Sequence, residues 1–280
     1  MTDRKKITLM DIQRKKTEKQ PIPMLTAYDY PSARLLDEAG VDIILVGDSL
    51  AMTVMGYANT LSVTMDEMVH HCRMVARGSK RAFLIGDMPF MSYQSSIRDA
   101  IVNAGRLIKE GGMEAVKLEG GLKMSGTITA LVDSGICVMG HIGLTPQAVT
   151  QLSGYHVQGR TAETARQLID DAMALQESGC FAIVLEAIPA AVAKIITEKL
   201  SVPTIGIGAG RYCDGQVLVF HDLLGFYQQP LAKHVKQYAN LNKTISEAVI
   251  RYCREVEQKK FPADQHSFKI DSNEIKKISR

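Results

Sequence analysis

Several short apolar runs in this chain are followed by a residue that can bind a cation or move a proton. Asp48 and Ser49 follow one run, Asp87 follows a second, and Glu186 follows a third. Carboxylates that crowd together repel one another and hold raised pKa values unless a cation joins them. Oxygen ligands without a nearby cluster of His or Cys residues favour Mg²⁺. If the fold brings these residues together, they indicate magnesium-assisted chemistry.

The apolar runs recur in a fixed pattern from about residue 22 onward: a run, a polar residue, a helical stretch and a glycine. They are apolar throughout rather than alternating, which is typical of parallel strands buried on both faces. Thr64 and Glu67 form a capping-box pattern before one helical stretch, and residues 161–177 carry Ala and Leu at helical spacing. We predict eight strands, at residues 23–27, 42–46, 82–86, 114–118, 136–140, 181–185, 203–206 and 217–220.

Eight strand–helix units predict a (β/α)8 TIM barrel, because a doubly wound sheet has fewer strands and usually a glycine-rich phosphate loop after the first. No G-x-G-x-x-G or G-x-x-x-x-G-K-[ST] motif stands where a strand meets a helix, and the glycine-rich segment 205–210 comes too late to be more than a weak cofactor signal. We expect one domain over residues 1–280. Residues 1–21 are expected to form a helix that closes the barrel bottom or mediates assembly, and residues 259–280 a flexible tail.

In a barrel, the residues at the carboxyl ends of the strands surround the mouth of the active site. Any one acid at such a position is more often a helix cap or a loop residue. Five acids at one mouth favour a cation site, although this reasoning does not say which of them bind the cation. His141 is expected near the mouth as a polar contact without a catalytic role. The residues predicted to follow or end the strands are Asp29, Asp48, Ser49, Asp87, Lys117, Glu119, His141 and Glu186.

The charge distribution argues against nucleic acid as a partner. The formal net charge is +3, but residues 1–20 hold seven Lys and Arg against three acids and residues 258–280 hold six against three. The body between these basic ends is therefore negative, as in a chain with solvated termini. The five cysteines are scattered without a CxxC pair, which predicts reduced thiols. No apolar run approaches the roughly 20 residues of a membrane helix and no signal segment is present, so we expect a cytoplasmic protein without membrane contact.

Nine motifs together resemble the ketopantoate hydroxymethyltransferase family. The resemblance runs in order over residues 8–268 and is highly specific. The motifs are Thr-Ala-Tyr-Asp-Tyr at 26–30, Val-Gly-Asp-Ser-Leu at 46–50, Gly-Asp-Met-Pro-Phe at 86–90, Val-Lys-Leu-Glu-Gly-Gly at 116–121, Gly-His-Ile-Gly-Leu-Thr-Pro-Gln at 140–147, Gly-Tyr-His-Val-Gln-Gly-Arg at 154–160, Leu-Glu at 185–186, Ile-Gly-Ile-Gly-Ala-Gly at 205–210 and His-Ser-Phe at 266–268.

The resemblance implies a Mg²⁺-dependent enzyme that transfers a hydroxymethyl group from 5,10-methylenetetrahydrofolate to 3-methyl-2-oxobutanoate, giving 2-dehydropantoate. It also implies a homo-oligomer, often a decamer. By position, Asp48, Asp87 and Glu119 match the metal ligands, and Glu186 matches the proton acceptor. The matched contacts to the oxo acid are Asp48, Ser49, Asp87 and Lys117, and Tyr28 and His141 are expected behind these groups.

Two other functions are compatible with the acids alone. One is a related Mg²⁺-dependent 2-oxo acid lyase or mutase of the phosphoenolpyruvate mutase and isocitrate lyase type, which uses the same metal chemistry. Such lyases usually carry a cysteine in a lid, for which Cys213 is the only candidate here. The other is a non-catalytic metabolite-binding barrel, which would be expected to lack Lys117 or Glu186, and both are present. The motifs, rather than the fold, favour the transferase.

Overall fold

The computed structural model describes residues 5–151, 154–227 and 231–278. Within these ranges, eight parallel strands pair in chain order, and the last pairs with the first to close a barrel. The predicted TIM barrel is therefore confirmed. The strands are β1 Ile22–Thr26, β2 Ile43–Val46, β3 Phe83–Asp87, β4 Ala115–Glu119, β5 Cys137–Gly143, β6 Ala182–Glu186, β7 Thr204–Ile207 and β8 Gly215–Leu218.

Helices lie between the strands and begin at the caps that the sequence indicates. Thr64 and Glu67 form a reciprocal capping box, and Thr161 caps the helix that ends at Glu177. No helix in the described ranges is long and apolar enough to cross a membrane. The α-helices are α1 Leu9–Thr17, α2 Tyr30–Ala39, α3 Leu50–Thr53, α4 Met65–Gly78, α5 Ile97–Lys109, α6 Ser125–Asp133, α7 Ala162–Glu177, α8 Ala190–Lys199, α9 Phe220–Leu224, α10 Leu241–Glu257 and α11 Ser272–Ile278.

The described chain divides into two compact units. The first contains the barrel and comprises residues 5–220 and 231–235, apart from the two undescribed positions after 151. The second comprises residues 221–227 and 236–278, and its longest helix, α10, has no buried residue. The single domain therefore stays a prediction, and so does the flexible tail. The described part of that tail, residues 259–278, includes α11.

Helix α1 packs against the apolar core of the barrel. Ile12 is fully buried in a cluster that includes Ile22, Ile43 and Phe83, which stand at the amino ends of their strands. Lys16 donates to Asp214 Oδ2 at 2.8 Å from the same helix. These contacts place α1 across the end of the barrel opposite the carboxyl ends of the strands.

Replacement of Ile12 by alanine is expected to lower the free energy of unfolding by about 2–5 kcal/mol, because it leaves a cavity in a close-packed cluster. Met10→Ala in the same helix is the matched control, since Met10 is 77% exposed. That control should change the free energy by less than about 0.5 kcal/mol. Denaturant titration measures both, and equal midpoints for the two variants would show that α1 does not stabilise the barrel.

Candidate active site

The carboxyl ends of the strands enclose a cavity of about 140 Å³. Its volume is below the roughly 300–1,000 Å³ of pockets for drug-sized ligands, so it suits a small acid. The polar residues that line it come from six different strands or the segments after them. They include Thr26, Asp48, Ser49, Asp87, Lys117, Glu119, His141, Tyr155 and Glu186.

Strand register brings the charged residues into contact. Asp87 ends β3 and stands beside Lys117 of β4 in the parallel ladder, and Glu119 of β4 stands beside His141 of β5. Side chains two residues apart on a strand point to the same face, which is why both Lys117 and Glu119 reach the cavity. Glu186 ends β6 and pairs with Gly143.

Lys117 and Asp87 form a buried ion pair. The ammonium nitrogen lies 2.7 Å from Asp87 Oδ1 and 2.9 Å from Oδ2. Burial would lower the pKa of Lys117, but the charges of Asp87, Glu119 and Asp48 hold it above its ordinary value. Burial raises the pKa of Asp87, and the charge of Lys117 offsets only part of that rise. The cluster therefore sets three buried carboxyl groups, those of Asp48, Asp87 and Glu119, beside one buried ammonium group.

The excess of carboxyl groups disfavours the ionised form of Asp48. Burial and the charges of Asp87 and Glu119 raise its pKa well above the ordinary value. Its backbone N–H donates to Asp87 Oδ2 at 3.2 Å, which holds the ends of β2 and β3 together. The expected crowding of carboxylates is therefore present, and a cation between them would relieve it.

His141 stands between two carboxylates on the other side of the cavity. Its Nδ1 lies 3.5 Å from Glu119 Oε1 and its Nε2 lies 3.2 Å from Glu186 Oε2. Burial and Lys117 would lower its pKa, yet the neighbouring carboxylates of Glu119 and Glu186 raise the pKa of His141 to about 9. Burial would raise the pKa of Glu119, but His141 holds it below its usual range. The imidazole thus links Glu119 to Glu186.

Two predicted positions need correction. His141 was expected after the fifth strand, but β5 continues to Gly143, so His141 lies inside the barrel. Asp29 was expected at the mouth, but it caps α2, where its Oδ1 accepts from Ser32 N at 2.8 Å. Asp29 is absent from the described lining of the cavity. Asp29 is therefore a helix cap, which was the alternative role for an acid that follows a strand.

Two buried residues were given no role by sequence reasoning. Gln147 lies in the short 3-10 helix after β5 and donates to Asp48 Oδ2, and Tyr93 lies after β3 and bonds Gln147. Gln147 belongs to a motif that carries the family resemblance, which was the only signal that could have found it. Tyr28 lies behind Ser49, with 2.8 Å between the two hydroxyl oxygens.

The donor chemistry fits Mg²⁺. In the described part of the chain, no group of three or more Asp, Glu, His or Cys side chains is arranged to hold a metal ion by itself. Mg²⁺ does not require one, since it is commonly held by one or two carboxylates together with water and substrate oxygens. Asp48 and Asp87 supply such a pair at adjacent strand ends. Glu119 as a direct ligand stays a prediction.

Solved structures share the barrel. Phosphonopyruvate hydrolase in complex with oxalate and Mg²⁺ has a TM-score of 0.60 at 12% identity, over 97% of this chain and 94% of that one. A 2,3-dimethylmalate lyase of the PEP mutase/isocitrate lyase superfamily has a TM-score of 0.58 at 16% identity, over 97% of each chain. At these identities the likeness extends to the fold alone.

Sequence relatives are much more similar. The 3-methyl-2-oxobutanoate hydroxymethyltransferase of Carboxydothermus hydrogenoformans is 54% identical, over 98% of this chain and 99% of that protein. The protein of the same name from Heliobacterium modesticaldum is 55% identical, over 95% and 97%. A family model described as ketopantoate hydroxymethyltransferase matches residues 6–264. Because this match spans most of the chain and agrees with the motifs at the strand ends, the chain belongs to the ketopantoate hydroxymethyltransferase family.

Proposed function

We propose that this protein transfers a hydroxymethyl group from 5,10-methylenetetrahydrofolate to 3-methyl-2-oxobutanoate, giving 2-dehydropantoate for pantothenate and coenzyme A synthesis in the cytoplasm. One observation carries the mechanism. Glu186 and the Asp48–Asp87–Lys117 cluster line the same 140 Å³ cavity but come from distant strands of the barrel. The proposed cation ligands and the proposed proton acceptor, Glu186, would therefore contact the same small substrate.

The cation side would hold the oxo acid. Asp48 and Asp87, with Glu119, are the proposed Mg²⁺ ligands, and Ser49 and Lys117 are proposed to contact the acid's oxygens. When bound, Mg²⁺ supplies a Lewis acid for the carboxylate and ketone oxygens of the substrate. The Lys117 ammonium adds a positive charge beside the ketone oxygen. That charge has a larger effect in a closed cavity than in water.

Glu186 is the proposed base. Its carboxylate removes the proton from C3 of the oxo acid, and the electron pair of the C–H bond moves into the enolate. His141 Nε2 lies 3.2 Å from Glu186 Oε2, so one oxygen is held in place while the other can face the substrate. C3 of the enolate then bonds to the folate's methylene carbon. That carbon gives up its two bonds to nitrogen, and water supplies the hydroxyl group. The two nitrogens take up the proton that Glu186 removed and the second proton of water.

The related lyase or mutase is the alternative function. Cys213, the only candidate for its lid cysteine, lies between β7 and β8 and is absent from the described lining of the cavity. Membership of the transferase family also favours the first proposal.

The protein is further proposed to be a homo-oligomer, with the decamer implied by the resemblance as the specific form. Helix α10 supports assembly because four apolar residues at coiled-coil spacing are exposed along it. They are Ile245, Val249, Tyr252 and Val256. Nucleic acid and membranes are not among the proposed partners.

Release of tetrahydrofolate on addition of 3-methyl-2-oxobutanoate and Mg²⁺ is the direct test of this function. We expect release to require the folate, the oxo acid and Mg²⁺, and to stop in excess chelator, because the carboxylates of the cluster then repel the substrate. Readdition of Mg²⁺ should restore it. Release without the oxo acid, or at full rate in chelator, would contradict the proposal.

A further inference from the structure

The side-chain amide of Gln147 is buried between the ends of three strands. Its Nε2 donates to Asp48 Oδ2 at 2.9 Å and to the carbonyl of Met88 at 2.9 Å. Its Oε1 accepts from the hydroxyl of Tyr93 at 2.8 Å and from Gln94 Nε2 at 3.1 Å. All of the amide's usual bonding positions are therefore occupied.

The orientation of this amide follows from its partners. The Met88 carbonyl can only accept, and so can an ionised Asp48, so the NH₂ group must face both of them. On the other side, the Tyr93 hydroxyl accepts from the backbone N–H of Glu119 at 3.1 Å, and its own proton faces Gln147 Oε1 at 2.8 Å and the Glu119 carbonyl at 3.2 Å. If the amide rotated by 180°, Gln147 Oε1 would face the Met88 carbonyl oxygen, and two acceptors would stand against each other.

Gln147 also holds a second carboxylate through its backbone. The N–H of Gln147 donates to Glu119 Oε2 at 3.0 Å, while Glu119 Oε1 faces His141. One residue therefore binds one oxygen of Asp48 and one oxygen of Glu119. Asp48 and Gln147 are 99 residues apart in the chain, so this bond ties the segment after β5 to the end of β2.

We propose that Gln147 is a positioning residue that fixes Asp48 and Glu119 in the orientation needed to hold the cation. By occupying Asp48 Oδ2, it leaves Oδ1 for the proposed cation. The inference rests on the proposed function, since it assumes that these carboxylates are the ligands. Residues that orient metal ligands typically contribute roughly 10–100-fold to metal affinity.

Two replacements of Gln147 test this role. Gln147→Glu keeps the shape but turns an acceptor toward Asp48 and the Met88 carbonyl, and Gln147→Met keeps the volume but removes both bonds. Both retain the backbone bond to Glu119. Gln151→Glu is the matched control, because it adds the same charge to the same segment at an exposed position. The readout is binding of Mn²⁺ alone, followed by the electron paramagnetic resonance signal of free Mn²⁺, together with the unfolding midpoint of each variant.

We expect Mn²⁺ affinity to fall roughly 10–100-fold in Gln147→Glu and by a smaller factor in Gln147→Met, with Gln151→Glu equal to the parent. A residue that only supports the fold would lower the unfolding midpoint and leave the affinity of the folded molecules unchanged. Parent-like affinity in either folded Gln147 variant would overturn the proposal. If the parent itself does not bind Mn²⁺, the proposed metal site fails, and the role of Gln147 fails with it.

Discussion

Glu186→Gln is expected to slow exchange of the C3 hydrogen of 3-methyl-2-oxobutanoate by roughly 10²–10⁴-fold, the usual contribution of a positioned general base. Glutamine has nearly the same shape but cannot accept the proton. A carboxylate away from the cation keeps its basicity, whereas one bound to Mg²⁺ is a poor proton acceptor. Binding of Mg²⁺ and of the oxo acid should change little, since Glu186 is not among the proposed ligands.

The exchange is measured by NMR in deuterated water with enzyme, Mg²⁺ and oxo acid but without folate, so that only the first chemical step is followed. Glu198→Gln is the matched control, because Glu198 lies in α8 with its side chain 65% exposed, and it should exchange at the parent rate. If Glu186→Gln exchanges as fast as the parent, Glu186 is not the base. His141, which contacts both Glu119 and Glu186, would then be the next candidate.

The strands could be predicted because parallel strands buried on both faces need apolar residues at every position. Six of them lie within one residue of the predicted positions, for example β3 at Phe83–Asp87. The two exceptions are β8, which lies two residues before its predicted position, and β5. The exception at β5 has a physical cause. The sequence Gly140-His141-Ile142-Gly143 carries the glycines and polar residue of a strand end, yet the strand continues because Glu119 and Glu186 provide His141 with charged partners inside the barrel.

The two acids after β1 and β2 show what local sequence can decide. Asp29 is followed two residues later by Pro31, which stands in the first turn of α2, and this order is typical of a helix cap. The Asp48 carboxylate instead accepts a hydrogen bond from the side-chain amide of Gln147. A partner 99 residues away leaves no local signal, which is why the role of Gln147 could not be predicted.

Asp87→Asn is expected to lower the rate of tetrahydrofolate release by about a thousandfold or more, because it removes a proposed ligand of Mg²⁺, and the cation supplies several kcal/mol of charge stabilisation. Parent enzyme in excess chelator should show a loss of similar size. Asp66→Asn is the matched control, since Asp66 also pairs with a cation, Arg106, but its side chain is 85% exposed. A surface ion pair of this kind contributes little. Full activity of Asp87→Asn would exclude Asp87 as a ligand.

Loss of activity in Asp87→Asn has a second possible source, because the substitution leaves the buried Lys117 ammonium without its closest carboxylate. Breaking a buried pair from one side costs about 3–5 kcal/mol, whereas replacing both members by apolar residues is often neutral. The double variant Asp87→Leu with Lys117→Met therefore separates the two effects. We expect the double variant to recover much of the unfolding free energy lost in Asp87→Asn and to remain inactive. Recovery of activity together with stability would show that Asp87 supports the fold and takes no part in holding the cation.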